Sequence, residues 1–137
     1  TVAMLAGGLP VRLGAYGDPA AAPADLWRTL ISQASNWTGY THQWRLPVAA
    51  PLRDLCMAST ESVEASEAAQ AAGWRTFRVA ATGEATRREI TCPSSKGIQC
   101  ADCGLCSGAS PRRINARSIV IAAHGNGIAA ALNVINA

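Results

Sequence analysis

Short apolar or alternating runs recur along the chain, separated by stretches whose apolar residues fall at helical spacing. "VRLGAY" (11–16) reads as a buried strand that breaks at Gly17-Asp18-Pro19. In "APADLWRTLISQASNW", Pro23 suits a first helical turn, and Leu26, Trp27, Leu30, Ile31 and Ala34 share one helical face. "TGYTHQWR" (38–45) reads as a second strand, with Tyr40, His42 and Trp44 on one side by period two. Pro47 and Pro51 mark a loop, and "LRDLC" makes one or two helical turns. "CMAST" (56–60) is a third strand. Thr60 or Ser62 then caps a helix over "SVEASEAAQAAGW" that stops at Gly73. "WRTFRVAA" (74–81) alternates cleanly as a fourth strand, and "REITCP" leads into a cysteine-rich stretch. "RSIVIAAHG" (117–125) is the most apolar strand, followed by a closing helix in "NGIAAALNVINA".

The resulting order is β-α-β-α-β-α-β, a cysteine-rich insert, then β-α. Strands alternating with helices predict an α/β fold with a parallel sheet and right-handed crossovers, either an open sheet or part of a (β/α) barrel. In such sheets ligands gather at the carboxyl ends of the strands. Those ends are Tyr16-Gly17-Asp18, Thr41 to Trp44, Ser59-Thr60, and His124-Gly125-Asn126. Length predicts one domain over 1–137, with a metal-binding insert at 90–110. The chain opens on Thr1 without an initiator methionine, which fits a fragment or a processed chain.

Composition narrows the class. Hydrophobic residues make up 49% and charged residues 15%, a globular balance. The net charge is +3, with Lys96 the single lysine among twelve basic residues. This permits contact with a nucleic-acid phosphate backbone without arguing for it, and the only basic doublets, Arg87-Arg88 and Arg112-Arg113, flank the cysteine stretch. No apolar run approaches the ~20 residues of a membrane helix, so no membrane partner is expected. "TVAMLAGGLP" lacks a basic n-region, which predicts a reducing compartment, the bacterial cytoplasm. There, clustered cysteines are more often metal ligands than disulfides.

Four of the five cysteines lie in "TCPSSKGIQCADCGLCSG", at Cys92, Cys100, Cys103 and Cys106. Four thiolates suit a [4Fe–4S] cluster or a tetrahedral Zn²⁺. A structural zinc usually takes two separated C-x2-C pairs, whereas C-x2-C-x2-C with a remote Cys-Pro resembles ferredoxin ligation, although Cys92-Pro93 precedes the run here. "CADCG" also has the look of a zinc knuckle, with Gly104 relieving the turn. The expectation is a [4Fe–4S] cluster, with zinc as the alternative and a purely structural, redox-silent centre open under both. Cys56 reads as a buried small hydrophobe.

The stretches "VRLGAYGDPAAAPADLW", "GYTHQWR", "LCMASTES", "GWRTFRV", "CPSSKGIQCADCGLCSG" and "SIVIAAHG" resemble, in the same order, a family of proteins from bacteriophages and other mobile elements, the domain of unknown function DUF7227. More distantly they are similar to the phage proteins called gene product 88-like, which share a strand ending in Gly-Asp and a later CP…CxxCxxC segment. The resemblance covers nearly the whole chain. It implies a phage-encoded protein and no particular activity. Longer members carry a further cysteine-rich segment upstream.

Three residues are candidates for catalysis. Asp18 suits a general base, or an Asx-turn or cap. His42 suits stacking or proton transfer, or a buried hydrogen bond. His124, in "AHGNG", suits an anion site at a helix start, or a glycine turn. Two function classes follow. One is a metal-binding domain with an enzymatic pocket at the strand ends. The other is a zinc-stabilised nucleic-acid-binding or phage assembly protein without catalysis.

Overall fold

The computed structural model describes residues 1–113 and 115–123; His124 and the predicted closing helix lie outside them. A short helix α1 (Val2–Leu5) leads to strand β1 (Pro10–Leu13). Helix α2 (Ala24–Ile31) follows Pro23, as the proline and the apolar spacing predict. Strand β2 (Asn36–Thr41) starts two residues earlier than its pattern suggests and ends before His42. A 3₁₀ helix (Pro47–Leu52) leads to β3 (Met57–Thr60). Helix α3 (Val63–Ala71) is capped by Ser62, whose hydroxyl accepts from the Ala65 N–H at 3.0 Å. Beyond it Gly73 takes φ +90°, Trp74 N–H reaches the Ala69 carbonyl, and Gly73 N–H reaches Gln70, a left-handed closure that only glycine makes without strain. Then come β4 (Thr76–Ala80), β5 (Glu89–Thr91), a one-turn helix α4 (Cys100–Cys103), and β6 (Ser118–Ala122).

The six strands form one open sheet in the order β1-β2-β3-β4-β6-β5, and every pair is parallel. The parallel α/β class is as the alternation predicts, and the sheet is open, not a barrel. One strand escapes the pattern: β5 has three residues, too few to alternate, and it forms the sheet edge with β6 inserted beside β4.

That order separates the two faces. From β1 to β4 the chain advances across the sheet, so right-handed connections cover one face; β5 to β6 steps back, which sends the cysteine segment to the other. The packing agrees. Leu13, Trp37 and Ala58 meet Trp27, Leu30 and Ile31 of α2, Leu52 of the 3₁₀ helix, and Ala69 of α3. On the opposite face Tyr40, Met57, Phe77, Ile90 and Ile119 meet Cys92, Leu105 and Cys106. Trp44 lies beyond the end of β2 in the first cluster, so it does not share a side with Tyr40 as an extended strand over 38–45 would require.

Candidate metal centre

The cysteine segment is fastened to the sheet at several points. Cys92 directly follows β5, and its N–H bonds the Val120 carbonyl of β6 at 2.8 Å. Helix α4 places Cys100 and Cys103 one turn apart, on one side. Gly104 closes that turn at φ +62°, and a Cβ there would collide with the Asn36 side chain at the start of β2. Asn36 also donates to the Ala101 carbonyl at 3.3 Å. The Cys106 carbonyl accepts from Gly39 N–H at 3.0 Å, where β2 extends below the first residue of β3. Gly108 then passes so near the 53–56 backbone that a Cβ would lie 2.7 Å from the Arg53 carbonyl and the Cys56 nitrogen.

Arg75, buried just before β4, anchors the end of the segment. Its guanidinium donates to the carbonyls of Leu105 (2.7 Å), Gly108 (2.9 Å) and Arg117 (2.8 Å). The alternation of "GWRTFRV" could have placed Arg75 on the Phe77 side, but its acceptors come from remote sequence.

Cys92, Cys100, Cys103 and Cys106 all border one cavity of about 450 Å³. Its floor is the sheet face, with Arg12, Tyr40, Ser59, Phe77 and Ile119. Tyr40 and Phe77 pack edge-on at 4.8 Å, and the Arg12 guanidinium lies 5.5 Å from the Tyr40 ring centre. Among the described residues, no carboxylate lines the cavity. All five cysteines are free thiols. Burial pushes the Cys106 thiol up to about 12, so a ligand role for it requires a cation to displace the proton. Cys56 lies on the other face, fully buried among apolar side chains, and burial raises its thiol likewise to about 12. It is the inert core residue that its apolar neighbours predict.

Among the described residues, no three histidine, cysteine or acidic side chains gather tightly enough to hold one metal ion. A tetrahedral zinc at about 2.3 Å from each sulfur would need thiolates about 3.8 Å apart. The four cysteines line one cavity together with residues of the sheet face.

Asp18 and His42 do come together. One Asp18 oxygen accepts from Ala20 N–H (2.9 Å) and from the Thr41 hydroxyl (2.7 Å); the other accepts from His42 N–H (2.8 Å) and lies 3.9 Å from its Nδ1. Burial alone would raise this carboxyl, but the three hydrogen bonds and the neighbouring His42 hold it below the usual carboxylate value. Asp18 thus caps the 3₁₀ turn Pro19–Ala21 and ties it to the end of β2. His42 reaches the rim of the cysteine-lined cavity, whereas Asp18 does not line it. The cavity lies against the face of the sheet; His42 and Cys92 enter it from strand ends, and the other three cysteines come from the crossing segment.

No family model, curated protein or solved structure matches this chain. Among the described residues, no helix is long and apolar enough to cross a membrane.

Proposed function

We propose that Cys92, Cys100, Cys103 and Cys106 ligate a [4Fe–4S] cluster, and that the chain is the metal-binding α/β domain of a phage or mobile-element protein. The observation that carries this reading is the meeting of all four thiols at one cavity. The spacing C-x2-C-x2-C supports a polynuclear group over one zinc. When bound, such a cluster would supply one-electron chemistry, and the chain would hold it beside Tyr40, Phe77 and Ile119 of the sheet face. Arg12 places the cavity's one arginine opposite a ligand set that gains negative charge on deprotonation. The phage assignment rests on the ordered sequence resemblance, and His42 with Ser59 makes the cavity's polar end the place for a small substrate.

The test is anaerobic purification with elemental analysis. Iron and acid-labile sulfide are expected in equal amounts, about four of each per chain, with a broad visible absorption band. Cys103→Ser should lose most of the iron, whereas Cys56→Ala should retain it. One zinc per chain and no iron would replace the cluster with the zinc reading. Neither metal, under anaerobic reconstitution, would remove the site altogether.

A further inference from the structure

At the opposite end of the strands lies a concentration of charge that does not line the cysteine cavity. Three neighbouring strands are each entered through an arginine. Arg75 precedes β4, Arg117 precedes β6, and Arg88 precedes β5. The register pairs Phe77 with Ile119 and Glu89 with Ser118, so these arginines form a row across the amino-terminal edge. Adjacent positions are one strand spacing apart, about 4.8 Å. Arg75 is committed to backbone carbonyls. Arg88 and Arg117 are exposed, as is Arg87, and among the described residues none of the three forms an ion pair.

These arginines border an open cavity of about 520 Å³ together with Gln70 and Ser118, and no acidic residue lines it. Two carboxylates share an adjoining groove with Arg87 and Arg88. Glu89 is bound to Arg78, and Glu67 pairs with neither arginine. The residues outside the described set contain no aspartate or glutamate. Like charges on neighbouring strands repel, and a bound polyanion would offset that cost.

We propose that this edge binds the phosphodiester backbone of nucleic acid. The exposed guanidinium groups of Arg87, Arg88 and Arg117 along an open cleft suit successive phosphates. A tight pocket for one phosphate would use converging N–H groups from a glycine-rich turn, and among the described residues no glycine borders this cavity. The two cavities share no lining residue, so this site stands or falls independently of the metal centre.

The experiment is fluorescence anisotropy of the full chain with labelled DNA of about 20 base pairs across about 50–200 mM salt. Three neutralised phosphates at about −0.9 each predict a slope of about −2.7 in log affinity against log salt. The exposed-residue variant R87A/R88A/R117A, with its fold checked by circular dichroism, should weaken binding at least about tenfold at the lowest salt and flatten the slope. Lys96→Ala, at an exposed cation that borders neither cavity, should change neither. Equal loss in both variants, or none in the triple variant, would overturn the proposal. So would a mononucleotide that binds as tightly as the duplex, which would mark a free-phosphate site.

Discussion

Arg75 illustrates how one side chain can order a long segment. It is only 6% exposed, and its guanidinium serves three carbonyls from two remote stretches. Burial pulls it below the ordinary arginine value, and the Cys106 thiol nearby works in the opposite direction. A lysine carries one compact ammonium and cannot reproduce the planar fork. Arg75→Lys is therefore expected to lose about 2–4 kcal/mol of unfolding free energy, read from urea titration at neutral pH. An unchanged midpoint would show that the clamp is not used. Asp18 belongs to the same scale. Its position after a strand and before Pro19 made both a cap and a base legible in the sequence, and the hydrogen bonds to Ala20, Thr41 and His42 fill the cap role. Arg75 could be assigned a face by period two, but its acceptors lie 30 to 42 positions downstream, beyond any local pattern.

Among elements, the edge strand β5 is the one held by charge. The Arg78 guanidinium of β4 reaches past β6 to grip Glu89 with two hydrogen bonds of 2.8 Å, and Thr86 N–H adds a third to the carboxylate. Both side chains are buried. Burial alone would raise Glu89, but the Arg78 and Thr86 contacts outweigh it and hold the carboxyl below the ordinary value. The stability this pair contributes is then complete above the unfolded glutamate value of about 4.3 and is lost as pH falls through the lower folded value. Glu89→Gln leaves a buried guanidinium without its counter-charge. It should cost about 3–5 kcal/mol at pH 7 and show a shallower loss below about pH 4 than the parent chain. Parallel acid slopes for the two proteins would refute the assignment. A second element-scale contact is the passage of Gly108 beside residues 53–56. Gly108→Ala combines φ +74° with backbone contacts of 2.7 Å, and thermal unfolding should register a loss of at least about 1–2 kcal/mol.

Across the whole molecule, the sheet class and most strand positions followed from alternation, because β1 to β4 advance one neighbour at a time. The exchange of β5 and β6 did not, since a three-residue strand carries no readable period and sheet order is not local information. The cysteine spacing announced a possible ligand set. It could not show that Arg12, Tyr40 and Phe77 would form the wall opposite, because those residues are assembled from β1, β2 and β4 only once the sheet exists. The row of arginines was hidden for the same reason: Arg88 and Arg117 lie 29 positions apart in the chain and become neighbours only through the β5–β6 register.

The backward step of the last strands also makes β6 the keystone of the sheet edge. Among the described strands, Ser118–Ala122 lies between β4 and β5, and β5 pairs with no other strand. Without β6, Cys92 would lack its Val120 partner and Arg75 the Arg117 carbonyl. Loss of that single apolar strand would therefore free the sheet edge and the first anchor of the cysteine segment together.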